Sequence, residues 1–140
     1  MKKSEVAIIG GSGFVGSRLT DRLNRGGVYS ITYDINLTNQ ITRSIYLDVE
    51  DINSLEQIKN ASTIINLAAV HRDDVQPLSR YDDVNVQGAR NVCEAATKHG
   101  INKIIFTSSV AIYGFAPADT DESGEANYFN DYGRTKYLAE

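Results

Sequence analysis

Apolar positions along the chain fall into short β-branched runs that alternate with segments of helical spacing. "EVAII" (Glu5–Ile9) reads as a buried strand bounded by glycines. In "FVGSRLTDRLNRGG", Phe14, Val15, Leu19 and Leu23 fall near one helical face, and Gly26 with Gly27 supplies a C-terminal stop. "YSITYD" predicts a second strand and "RSIYLDV" a third. "DINSLEQIKN" sets Ile52, Leu55 and Ile58 at helical spacing behind an acidic start, and "STIINLAAV" predicts a fourth strand. "YDDVNVQGARNVCEAATKHG" predicts one longer helix, with Lys98 and His99 before Gly100, the charge and cap that a helix C-terminus favours. Cys93, among Val92, Ala95 and Ala96, is expected to fill the core. "NKIIFTSS" predicts a fifth strand, and "GFAPADTDESGEAN" a surface loop before the last helix.

This order is βαβ, repeated, with strands that are apolar almost throughout. Such strands are buried on both faces, so the expected fold class is α/β, a doubly wound parallel sheet of the Rossmann type. Ligands of these sheets bind beyond the carboxyl ends of the strands, where the strand order reverses. Residues 1–140 are expected to form a single domain.

Composition narrows the field. The chain is 41% hydrophobic and 23% charged, ordinary for a globular protein. A net charge of −4 and a pI near 5.1 give no footprint for nucleic acid, which needs clustered positive charge. Apolar runs of four to six residues predict no membrane span, and the N-terminal run is too short for a signal peptide. One cysteine cannot form an internal disulfide and fits a reducing compartment, so the expected location is cytoplasmic.

Candidate chemistry begins at "IIGGSGFVGSRL", between the first strand and the first helix. Gly11, Gly13 and Gly16 fit G-x-G-x-x-G, and Gly10, Gly13 and Gly16 fit G-x-x-G-x-x-G equally well. Glycine there permits a tight turn, backbone approach to a pyrophosphate and close helix–strand packing, with the phosphate on the helix N-terminus. Asp34, eighteen residues past Gly16, ends the second strand; a carboxylate there accepts from a ribose diol and repels a 2′-phosphate, favouring NAD over NADP. The loop is no NTPase phosphate loop, because Ser17 and Arg18 follow Gly16. "HRD" at His71–Asp73 is no kinase catalytic loop, because Leu78 stands where the metal-binding Asn belongs.

A second constellation lies near the end. Tyr132 and Lys136 are one helical turn apart and can address the same atom. A phenol is a poor base at neutral pH unless a nearby positive charge favours the phenolate. "FTSSVAIYG" puts the hydroxyls of Thr107, Ser108 and Ser109 at the end of strand five, well placed to meet a substrate oxygen.

With "GGSGFVG", Asp34, "LDV", "NLAA", "NVQGARN", "FTSSVAIYG" and "YGRTK" in this order, the chain resembles the N-terminal part of an extended short-chain dehydrogenase/reductase. It is most similar to the NAD-dependent epimerase/dehydratase family that works on nucleotide sugars. The resemblance implies Tyr132 as acid/base, Lys136 as the group that lowers its pKa and holds the nicotinamide ribose, and Ser109 as orienter of the substrate hydroxyl. It places Gly10, Gly13, Phe14, Val15 and Gly16 along the pyrophosphate, Asp34 on the adenine ribose, and Asp48 with Val49 beside the adenine. Leu67, Ala68 and Ala69 would floor the cofactor, and Asn85 would touch it. No metal is implied. Ile9 departs from the family's frequent Thr, and His71 holds a variable position. Asp131, beside Tyr132, would oppose phenolate formation if its carboxylate pointed inward. The implied partners are a nucleotide-sugar substrate and a second copy of the chain. Members of the family continue into a C-terminal substrate lobe, so this chain is expected to be the cofactor half, cut shortly after its last helix begins. A non-catalytic NAD(H) sensor and an inert remnant stand as alternatives.

Overall fold

The computed structural model describes residues 5–37 and 44–140. Five strands, β1 (Glu5–Ile9), β2 (Ser30–Asp34), β3 (Ser44–Tyr46), β4 (Ala61–Asn66) and β5 (Ile104–Phe106), form one parallel sheet in the order β3-β2-β1-β4-β5. The order runs outward from β1 in one direction and, from β4, in the other. The reversal point is therefore between β1 and β4. Pairings of Ile9 with Tyr33 and Asn66, of Asn66 with Phe106 and of Asp34 with Tyr46 bring all strand ends nearly level at one edge.

Of the helices α1 (Phe14–Arg25), α2 (Ser79–Tyr81), α3 (Gly88–His99) and α4 (Asp131–Ala139), α1 and α3 pack against the sheet, and α4 packs on residues 82–87 and on the turn Val110–Tyr113. One core joins Ala7, Ile9 and Ile64 of the sheet to Val92, Ala95 and Ala96 of α3, with Leu47, Val49, Leu55 and Ile58 closing it. Gly100 takes the left-handed conformation, φ 67°, and its N–H caps Ala96 and Thr97 carbonyls, as the sequence predicts.

Four expectations change. The buried face of α1 is Gly16, Ser17 and Thr20, whereas Phe14 and Val15 are exposed. Close approach to the sheet admits only small side chains, and Thr20 bonds Thr32 across that contact at 3.1 Å. Residues Ser54–Ile58 make a short 3₁₀ turn that buries Leu55 and Ile58 and leaves Ile52 exposed. The long helix is continuous but π-helical from Asp82 to Gln87, between α2 and α3. Cys93 is exposed, because Val92, Ala95 and Ala96 define the buried face of α3 and position 93 falls outside it. Arg43, the first residue of the predicted third strand, lies outside the described residues.

Candidate active site

At the reversal point the loops beyond β1 and β4 part to leave a cleft of about 540 Å³. Gly10, Gly13, Phe14, Val15, Gly16, Asp34, Asp48, Val49, Leu67, Ala68, Ala69, Tyr132 and Lys136 all line it, as do Glu50, His71, Arg80, Val84, Thr107 and Ser108. Thirteen of the fifteen residues singled out from sequence thus meet around one cavity, Ser109 and Asn85 excepted.

The glycine loop is shaped by contact. Gly10 has φ +78°, and a Cβ there would stand 2.7 Å from the Ala68 nitrogen. Gly16 packs directly on the backbone of Gly11, and Gly11 is buried away from the cleft against Thr32. Of the two glycine triplets, Gly10, Gly13 and Gly16 therefore face the cleft. At Gly13, among the described residues beyond its chain neighbours, the one heavy atom within 4 Å of a hypothetical Cβ is the Gly10 carbonyl oxygen, 3.5 Å away. Protein packing does not require glycine there; a ligand lying against the backbone would. The amides of Phe14, Val15 and Gly16 open α1, where a helix leaves N–H groups without intrahelical acceptors. A diphosphate fits this cradle.

Asp34 faces the loop across its mouth. Its Oδ2 accepts the Ser12 N–H at 2.9 Å and its Oδ1 the Asn36 N–H at 2.8 Å, which orients the carboxylate and ties it to the glycine loop. Asp48 accepts the Glu50 N–H at 2.9 Å, and the Glu50–Arg80 ion pair at 2.6 Å bounds the same end of the cleft.

The opposite end is built by α4. Asn130 caps it, its Oδ1 accepting the Gly133 N–H at 2.8 Å. Lys136 is only 2% exposed, with its ammonium 4.1 Å from the centroid of the Phe106 ring. Burial holds its pKa down at about 8, with Glu140 pulling weakly the other way. The Asp131 carboxylate is engaged by a guanidinium. It accepts from Arg134 at 3.0–3.1 Å, and Arg134 also grips Asp82 through two bonds of 2.9 and 2.7 Å. Asp82 first, then Asp131, holds the guanidinium above its ordinary pKa, and Arg134 holds the Asp82 carboxyl below its own.

Two expected contacts lie off the cleft wall. Ser109 caps the 3₁₀ turn Val110–Tyr113, its Oγ accepting the Ala111 N–H at 3.1 Å, while Thr107 and Ser108 stand on the wall itself. Asn85 differs from the expected direct cofactor contact. It is 3% exposed, and its carboxamide is occupied by the Val70 N–H, the Val70 carbonyl and the Thr135 hydroxyl. His71, which the resemblance leaves at a variable position, lines the cleft, and so do Glu50 and Arg80, which the motifs did not indicate.

Known proteins match this arrangement. The model of the NAD dependent epimerase/dehydratase family matches residues 6–140. The chain is 42% identical, over 96% of its length and 41% of the relative's, to N-acetyl-alpha-D-glucosaminyl-diphospho-ditrans,octacis-undecaprenol 4-epimerase of Escherichia coli O157:H7. The crystal structure of UDP-glucose 4-epimerase from Brucella ovis in complex with NAD superposes with a TM-score of 0.87 at 29% identity, covering 97% of this chain and 45% of that one. MoeE5 in complex with UDP-glucuronic acid and NAD superposes with a TM-score of 0.89 at 27% identity, covering 97% and 47%. The chain therefore spans less than half the length of these relatives.

Proposed function

The chain belongs to the NAD dependent epimerase/dehydratase family, and from that premise we propose that it is the cofactor-binding part of an enzyme that moves hydride between NAD and a nucleotide-linked sugar. One observation carries the reading: a buried lysine and a tyrosine share one wall of a cleft whose other end is a glycine cradle and an oriented carboxylate. Gly10–Gly16 would hold the pyrophosphate, Asp34 the adenosine ribose, and Lys136 the nicotinamide ribose. When bound, NAD supplies the two-electron hydride acceptor and donor.

The chain's own residues handle the accompanying proton. Tyr132 takes it from a sugar hydroxyl through its phenol oxygen and returns it when the hydride comes back. Lys136, charged at neutral pH, favours the phenolate. Arg134 neutralises Asp131, so that carboxylate does not oppose the ionisation. Thr107 and Ser108 offer hydroxyls on the cleft wall, and Ser109, which stands off that wall and accepts the Ala111 N–H, keeps its own O–H for a substrate oxygen that extends past the cleft.

A second substrate class rests on a specific finding. The relative that is 42% identical is named for a sugar on a polyprenol diphosphate, which shares only the diphosphate-linked sugar with a nucleotide donor. An assay of an enzyme extended to the relatives' length, with UDP-N-acetylglucosamine and with the polyprenol-linked sugar, separates the two. In that enzyme Tyr132→Phe should cut turnover about 10²–10⁴-fold with NAD binding largely kept. Near-parent turnover would instead favour a non-catalytic NAD(H) sensor.

A further inference from the structure

The Glu50–Arg80 ion pair belongs to none of the sequence motifs, yet both side chains line the cleft. Each is carried on anchored backbone. The Glu50 N–H donates to Asp48 Oδ1 at 2.9 Å, and the Glu50 carbonyl accepts from Asn91 of α3 at 3.3 Å. The same Asn91 amide donates to the Val49 carbonyl at 2.8 Å. Arg80 stands in α2 with its N–H on the Pro77 carbonyl at 3.0 Å, next to the buried Tyr81, whose hydroxyl donates to the Arg72 carbonyl. The two side chains, 29% and 36% exposed, then meet at 2.6 Å between Glu50 Oε1 and Arg80 Nη1. Glu50 above all, with Asp83 and Asp48 after it, holds the guanidinium above its ordinary pKa against the pull of burial. An ion pair this open to solvent adds little to stability. Among the described residues, no other hydrogen bond engages Glu50 Oε2 or Arg80 Nε and Nη2. A free acceptor thus stands beside free donors on the cleft wall.

We propose that Glu50 and Arg80 are specificity-determining residues that select adenine over 6-oxo purines at the base end of the cofactor. Adenine carries a donor and an acceptor side by side, its N6 amino group and N7, the pattern that an Asn or Gln amide reads in duplex DNA. Glu50 Oε2 accepts from the amino group, while Arg80 aims that carboxylate and donates to N7. Guanine and hypoxanthine bear O6 in place of N6, which sets two acceptors face to face with no proton between them. Ile35, which follows Asp34, and Val49, which precedes Glu50, line the same cleft and offer apolar surface to the flat ring. The proposal rests on the NAD reading above and adds base selection to it.

The test titrates ADP and inosine diphosphate into the 140-residue chain and into its Glu50→Gln and Arg80→Met variants. The two ligands share ribose and diphosphate and differ only in the base, so a variant's change of charge cancels in the ratio of their affinities. The parent should prefer ADP about tenfold or more. Glu50→Gln should narrow that preference to within about threefold, because its amide can turn an N–H toward O6. Arg80→Met should narrow it as far, because the Glu50 carboxylate is no longer aimed. A Glu50→Gln chain that keeps the parent's ratio, or loses both ligands in equal proportion, overturns base selection and leaves the proposed function standing. A parent that binds both diphosphates equally well overturns it in the same way. Should Arg80→Met fail to fold, the isosteric Glu50→Gln decides alone, and its own failure to fold would make the pair a fixture of the fold and overturn the proposal. If the parent binds neither diphosphate, the proposed function falls and this inference with it.

Discussion

The carboxylate of Asp34 accepts two backbone N–H groups before any ligand arrives, one of them from the glycine loop it faces. Replacing it with alanine should therefore loosen the cradle as well as remove an acceptor for the ribose diol. Asp34→Ala is expected to weaken NAD at least about tenfold and to relax discrimination against NADP, both read by titration. Equal NAD affinity in mutant and parent would exclude the ribose assignment. Lys136 makes the opposite kind of trade. Its folded pKa, about 8, lies below the ordinary lysine value of 10.5, so the unfolded chain binds this proton more tightly. The penalty is fully present below pH 8 and is relieved as pH rises toward 10.5. Lys136→Met should accordingly raise unfolding free energy at pH 7 by roughly 1–3 kcal/mol, a gain that shrinks toward pH 10. Urea melts at both pH values measure it; a variant less stable at pH 7 would mean that burial does not strain the ammonium.

At the scale of elements, the proposed acid–base pair depends on how α4 is seated. Gly133 lies against the Ala111 carbonyl oxygen and Tyr128 Cβ, so an added methyl must push the helix off the 3₁₀ turn that Ser109 caps. Gly133→Ala is expected to cost about 1–3 kcal/mol by denaturant midpoint and to weaken NADH, despite alanine's better helix propensity. A stabilised variant would show that α4 has room to move. The apolar runs of β1 and β4 were legible in sequence because a strand buried on both faces has no alternation to confuse it, and β2 was legible from its β-branched and aromatic residues. The glycine spacing was legible because it answers a backbone requirement. The buried face of α1 was not: Phe14 and Val15 are the large apolar residues of its first turn, yet close packing on the sheet selects Gly16, Ser17 and Thr20. Nor was the π segment, since one wider turn leaves the apolar spacing around Val84 and Val92 compatible with an ordinary helix. Asn85 looked like a ligand group by motif, and only its three buried bonds reveal where its polarity is used.

For the whole molecule, the distribution of exposed apolar side chains matters more than the net charge of −4. β5 is an edge of the sheet, with Ile104 and Ile105 part-exposed. Phe115 and Phe129 stack at 4.7 Å while 85% and 62% exposed, and Tyr137 and Leu138 stand out from the end of α4. An open strand edge and exposed stacked aromatics each invite association, because each new contact removes apolar surface from water and can pair free backbone groups. The relatives are more than twice as long as the segment matched here. Studied as 140 residues, this chain is therefore expected to bind NAD weakly, to show no turnover of sugar-nucleotide donors, and to sediment as a dimer or larger species. Phe115→Ser combined with Phe129→Ser should shift sedimentation toward monomer without changing NAD affinity by more than about twofold, since neither ring lines the cleft. A parent chain that is already monomeric at tens of micromolar, binds NAD tightly and turns over substrate would refute all three expectations together, and would mean that the residues around Tyr132 suffice for catalysis without a second lobe.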